Sequence, residues 1–119
     1  MQQLQLPPLA DGEVYIGAIG DKHGNLHHVI LLPGDSDDAT WKKQMEWAKS
    51  IGGDLPTRIE QAMMWTDHRD QFQKDWYWSN EQHHNDSGCA WHQDFHFGRQ
   101  SSYDIRNKLR ARAVRRLPI

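Results

Sequence analysis

Apolar and polar positions change rhythm twice along the chain. From Glu13, EVYIGAI and then LHHVILL form two β-rich apolar runs around the turn cluster GDKHGN, the pattern of a β-hairpin. After the loop LPGDSDD the period lengthens. Trp41, Met45, Ala48 and Ile51 recur at helical spacing, which predicts a helix capped by Asp38, beginning near Ala39 and stopped by Gly52 and Gly53. Pro56 bars a helix at Leu55, and Thr57 with Glu60 spells the T-x-x-E capping box of a second helix. Ile59, Ala62 and Met63 are expected to face inward on it, with Trp65 a further candidate. Beyond Lys74 the rhythm returns to two in WYWS, AWHQDFHFG and LRARAVRRL, three further strands separated by the polar loops HHNDSG and RQSSYDIRN. A hairpin, two helices and a strand-rich C-terminal half make an α+β domain over 13–119. Residues 1–12, with Pro7, Pro8, Asp11 and Gly12, read as an extended arm leading into it.

Composition narrows this picture. A chain of 119 residues has room for one core. A formal net charge of −2 gives no overall reason to expect a nucleic-acid or anionic-membrane partner. The basic residues Arg106, Lys108, Arg110, Arg112, Arg115 and Arg116 do crowd the C-terminus, but they alternate with apolar residues and read as the exposed face of a terminal strand. Cys89 is the only cysteine, so no intrachain disulfide is expected and a reducing compartment is the simpler home. The opening MQQLQLPPLADGE does not resemble a secretory leader, and no apolar run reaches bilayer length. The expectation is a protein without membrane insertion, cytoplasmic in the producing cell, with virion association after release left open.

LPTRIEQ, WYWSNEQ, the AW of AWHQDF and LRARAVRRL, in that order, resemble phage and prophage proteins related to the Lcl-type C-terminal domain. The resemblance runs from about Glu13 to Pro118 and implies a C-type-lectin-like fold. It is similar to that of variable proteins diversified by retroelements, whose strands and loops between the YWS-like and RAVRR-like motifs form a ligand-binding face. Carried over position by position, the resemblance places His83, His84, His92, Asp94, His96, Arg99, Ser101, Ser102 and Tyr103 on or near that face.

The residues themselves lead to a similar region. In AWHQDFHFG, strand alternation puts His92, Asp94 and His96 on one polar side and Trp91, Gln93, Phe95 and Phe97 on an inward one. Histidines left in solvent would titrate near neutral pH. Most of the tryptophans are expected in the core, with Tyr77 or Trp47 in solvent. A large ring exposed beside Arg99 or Tyr103 would be a natural interface hot spot.

Three sharper chemistries are weaker. His83, His84, Cys89, His92, Asp94 and His96 include metal-ligand types, but their spacing matches no ligand signature and flat strand neighbours converge poorly on a tetrahedral ion. Cys89 with His83 or His92 lacks a third orienting group, and the related formylglycine-generating enzymes use a pair of cysteines. Asn80, Glu81, Asn85 and Asp86 supply oxygens suited to calcium, but the sugar-binding signature of true C-type lectins is absent. We therefore expect a non-enzymatic phage or prophage binding protein, without cofactor, that recognises a protein or glycan on the bacterial host as an adhesin-like module. It would act as a homo-oligomer or in a tail-associated assembly. The alternative is an intracellular effector that binds a host protein such as a defence complex. A structural virion component is a third reading.

Overall fold

The computed structural model describes residues 1–119. The fold is α+β, with two helices and eight strands in two sheets. In chain order these are β1 (Val14–Gly20), β2 (Leu26–Leu31), β3 (Ser36–Ala39), α1 (Trp41–Ser50), α2 (Arg58–Asp67), β4 (Trp76–His83), β5 (Asp86–Asp94), β6 (Gln100–Asp104), β7 (Leu109–Ala111) and β8 (Val114–Pro118). The expected hairpin is β1 paired antiparallel with β2. On the far side of β2 lies β8, so the first and last strands share one three-stranded sheet in the order β1-β2-β8. The other five strands form a second sheet in the order β3-β7-β4-β5-β6. A short bridge between Asp54 and Val114 links β8 to the segment entering α2.

Two apolar clusters hold these layers together. Val29, Leu31 and Val114 of the small sheet meet Met64 of α2 and the side of the large sheet that carries Tyr77 and Phe95. Its other side, carrying Trp78 and Ala90, packs with Ala48 of α1, Leu55 and Leu109. Burying each large ring contributes roughly 2 kcal/mol.

Both helices turn much of the expected apolar stripe inward, with Trp41, Met45 and Ala48 of α1 in one core and Met63 and Trp65 of α2 against the other, but they bury polar residues beside it. Ser36–Ala39 is a strand, so α1 starts at Trp41 with Thr40 at its N-cap and Asp38 does not cap it. The residues α1 buries are Gln44 and Ala48, and Ile51 is exposed. Helix α2 does carry the predicted capping box between Thr57 and Glu60. It buries Glu60, Gln61 and Met64, while Ile59 and Ala62 face solvent. The reason is backbone hydrogen bonding. β4 and β7 pair through a single parallel bridge, Tyr77 to Arg110, and side-chain amides supply donors to carbonyls in this region. Gln44 donates to the carbonyls of Asp37 (2.8 Å) and Leu109 (3.0 Å). Gln61 donates to those of Tyr77 (3.1 Å) and Trp78 (3.2 Å). Each helix is thus pinned to the large sheet by a buried glutamine.

The strand-rich half has five strands where the alternation suggested three. AWHQDFHFG does not continue as a strand beyond Asp94, and LRARAVRRL is split into β7 and β8. Nor do the C-terminal arginines form one exposed basic face, since only Arg106 among them stands in solvent. Arg110 pairs with Asp35 (2.9 Å) and Asp37 (3.2 Å), Arg115 with Glu13 (2.8 Å) and Arg106 with Asp104 (2.7 Å). Arg112 is buried and donates to the carbonyls of Gln71 and Leu32, each at 2.7 Å. Arg116 grips Glu60 (2.7 Å) and Asp54 (2.8 Å).

Glu60 is the tightest of these junctions, with its side chain 1% exposed. Its carboxylate accepts from Arg116, from the Thr57 amide (2.8 Å) and, facing it from β2, from His27 (3.3 Å). Burial by itself raises this carboxyl, but the hydrogen bonds from Arg116 and Thr57 and the Arg116 charge hold it below the usual carboxylate range. Glu60→Ala leaves Arg116 without its main partner and is expected to cost about 3 kcal/mol in urea unfolding.

Candidate functional site

Trp76 opens β4 opposite Asp94 of β5, and Trp78 lies opposite His92. On the other side of β5, His92 pairs with Ser101 and Ala90 with Tyr103 of β6. These registers bring Trp76, His92 and Tyr103 together from three adjacent strands. Trp76 stacks on His92 with ring centres 4.6 Å apart and planes 21° from parallel. Tyr103 meets Trp76 edge to face at 5.4 Å and 85°. Trp76 and Tyr103 remain 38% and 39% exposed, whereas His92 beneath them is 3% exposed. The result is an open aromatic corner on a buried imidazole.

That burial corrects the solvated polar side expected for β5. The strand runs between β4 and β6, and rings from its neighbours cover His92 from above. The Nδ1 atom of His92 is buried without a hydrogen-bond partner. Burial pushes the imidazole down to about 4, against a smaller upward pull from Asp94. At neutral pH His92 is therefore an uncharged platform, not the near-neutral switch its residue type suggested.

Asp94 is also buried, because it closes a turn. Its Oδ1 accepts from the amides of His96 (2.7 Å) and Phe97 (3.1 Å). The Gly98 amide returns to the Asp94 carbonyl, and the Asp94 amide donates to Arg99. Phe95 tucks into the core, where it stacks on Phe72 at 3.9 Å, but Phe97 is left 68% exposed. Gly98 has φ +89°, and a Cβ built on it would lie 2.5 Å from the Trp65 ring. Only glycine lets the turn sit this closely on Trp65. The turn is thereby held rigidly with Phe97 projecting and His96 stacked against it at 4.0 Å.

Beside the aromatic corner lies a cleft of about 170 Å³ lined by Lys74, Asp75, Trp76, Asp94, His96, Phe97 and Arg99. The fold therefore gathers His92, Asp94, His96, Arg99 and Tyr103 into one region. Ser101 is exposed and shares a side of β6 with Tyr103, while Ser102 is half-buried and alternates to the other side. His83 and His84 are not part of this region. They stand at the opposite end of the β4–β5 hairpin, stacked on each other at 5.1 Å. His83 also stacks on Trp91, over which Arg58 lies at 3.6 Å.

Trp76, Phe97 and Lys74 join the face without having been singled out for it, and Tyr77, expected in solvent, is buried. The signal for Phe97 was available: Asp94 and Gly98 bracket the three residues of a turn, which ends strand alternation. Cys89 is half-buried with its thiol 3.5 Å from Asp86. Burial and the Asp86 carboxylate push it up, which makes it a poorer nucleophile. No group of three His, Cys, Asp or Glu side chains has the geometry to hold a metal ion. No family model matches the chain, and no curated protein matches it.

Two outcomes test this geometry. His92 binds fewer protons folded than unfolded between about pH 4 and 6.5, so its contribution is complete above pH 6.5 and is lost as pH falls through 4. After allowance for solvent screening the loss is roughly 2 kcal/mol. His92→Phe, which keeps a flat ring and removes the unpaired nitrogen, should flatten stability across that window in urea titrations at stepped pH. Gly98→Ala should cost about 2 kcal/mol through its backbone conformation and the clash with Trp65, measured as a fall in thermal midpoint.

Proposed function

We propose that this protein is a non-enzymatic recognition module whose target docks on the Trp76–Tyr103 corner and the Phe97 turn. The observation that carries the reading is the pair of half-open rings fixed over a buried imidazole, beside a third ring projecting from a pinned turn. Large apolar rings held out in solvent by a rigid frame cost hydration free energy that a partner recovers. They also lose little entropy when it binds. Aromatic anchors ringed by polar groups are the usual hot spots of interfaces.

The wider reading is a C-type-lectin-like domain of the phage and prophage type, which grips a protein or glycan on the bacterial surface. Its support is topological: the first and last strands flank β2 in one sheet, both helices lie between them in sequence, and the face is carried by β4, β5 and β6. Several copies on a tail or in a homo-oligomer would multiply a weak single-site affinity. The C-terminal arginines Arg110, Arg112, Arg115 and Arg116 are engaged by Glu13, Asp35, Asp54, Glu60 and backbone carbonyls, so they do not form a free basic docking stripe.

Capture from separated envelope and cytosol fractions of the host provides the test. An envelope component should bind the wild-type chain and bind Trp76→Ala/Tyr103→Ala about 30-fold or more weakly, as loss of a hot spot implies, compared at a temperature at which both proteins are fully folded because the two rings also cover His92. Retention by the double variant would overturn the assignment of the face. A single cytosolic partner would replace surface recognition with the effector reading.

A further inference from the structure

From Val29 to Leu32 the chain is apolar at every position, the composition of a strand covered on both sides. Only one side of the small sheet meets the core. Val29, Leu31 and Val114 point to α2 and the large sheet, so alternation turns His28 and Ile30 outward with their cross-strand neighbours Tyr15, Ala18, Arg115 and Leu117. Ile30 is fully buried although it lies outside both apolar clusters. The polar groups on this side answer one another: the Tyr15 hydroxyl lies 2.7 Å from His28 Nδ1, and Arg115 pairs with Glu13. What remains is an apolar surface.

The arm over residues 1–12 covers that surface incompletely. Arg115 donates to the Pro8 carbonyl (3.4 Å), and Gln3, Leu4 and Leu6 stand across from Tyr15 and Ala18 with an open cavity of about 380 Å³ between them. The leucines that could fill such a gap are themselves in solvent. Leu4, Leu6 and Leu9 are 46%, 59% and 44% exposed, and Leu26, at the outer start of β2, is 43% exposed. Apolar projections and an apolar gap thus lie on one surface.

Charge, shape and size select a second copy of this chain as the occupant. Residues 1–9 carry no charged side chain, and Arg115 and Glu13 cancel. The surface therefore offers no charge for an acidic or basic partner to read, and brings no like charges together when it meets its own copy. A patch that holds both projection and gap is complementary to itself, the condition for a two-fold contact. Three strands about 14 Å across and about 20 Å long, with the arm beside them, fall at the low end of specific interfaces, the size of a reversible dimer.

We propose that two copies associate reversibly through the outer sides of their small sheets, the leucines of each arm filling the gap beside Tyr15 of the other. This does not depend on the recognition reading above. β4 turns Tyr77 toward the small sheet and Trp76 the other way, so the pair carries its two aromatic corners outward on opposite sides.

Sedimentation equilibrium of the full chain from about 5 to 500 μM, the range in which so small an interface dissociates, should show the mass rising from one copy toward two. NMR amide shifts of Leu4, Leu6, Tyr15, Ala18 and Leu26 should move with concentration. Leu4→Ser/Leu6→Ser, both at exposed positions, should weaken association about tenfold or more through lost apolar burial, with the thermal midpoint unchanged. Leu26→Lys sets like charges on the two copies and should weaken it by a separate route. Trp76→Ala/Tyr103→Ala, kept fully folded, should associate as the wild type does. A single-copy mass at every concentration, association undiminished in either leucine variant, or its loss in Trp76→Ala/Tyr103→Ala would overturn the proposal. So would a closed assembly of three copies, which two-fold pairing does not build.

Discussion

A carboxylate almost wholly withdrawn from solvent anchors the arrangement of the two sheets. Glu60 sits in the first turn of α2, caps its own helix through Thr57, and receives Arg116 from β8 and His27 from β2. Burying charge is expensive, and a pair of this kind adds little net stability over a well-packed apolar substitute. What it supplies is register. An Arg116 displaced by one position along β8 would point to the other side of the sheet and leave Glu60 charged and unpaired. The small sheet and α2 are therefore coupled in one alignment. Gln61, the next residue, ties the same helix to the carbonyls of Tyr77 and Trp78, so the alignment passes from the terminal strands to the strand that carries the face.

The face inherits its rigidity from that frame. Tyr77 and Phe95 are locked in the core with Phe72, which fixes the side of β4 and β5 opposite Trp76 and His92. With the inner side fixed, the alternation of the strands decides where the outer rings stand. The turn carrying Phe97 is held independently by Asp94 and by the seat of Gly98 on Trp65. Recognition by such a surface requires little ordering on binding, which is the main entropic cost of a flexible loop. An unpaired Nδ1 on buried His92 is a cost of order 1 kcal/mol or more, accepted where a flat ring is needed under Trp76.

How far the chain could be read depends on which signals are local. The hairpin around GDKHGN, the capping box of Thr57 and Glu60, and the α+β order are set by turn chemistry and periodicity within a few residues, and these were legible. Arg99 and Tyr103, expected on the face from the resemblance, lie at the cleft and the aromatic corner respectively. The apolar part of the helices' inward sides was legible in Trp41, Met45, Ala48 and Met63, but the polar part was not. Gln44 and Gln61 are polar, and their burial answers carbonyls on strands distant in sequence. Likewise the arginine cluster near the C-terminus looks like a solvated basic stripe until its carboxylates, scattered from Glu13 to Glu60, are brought to it.

Sequence alone determined the hairpin, the capped start of the second helix and the α+β order, because capping, glycine and proline chemistry and side-chain period act between near neighbours. Tertiary structure alone decided which polar residues are buried and which aromatic rings are open. His92 is a platform because β5 is an interior strand with tryptophans from β4 on one side and Tyr103 from β6 on the other. Phe97 is exposed, although its neighbour Phe95 is core, because Asp94 ends the strand and Trp65, from a helix far earlier in the chain, seats the turn. Exposure depends on what covers a side chain, and the covering residues here come from other parts of the chain.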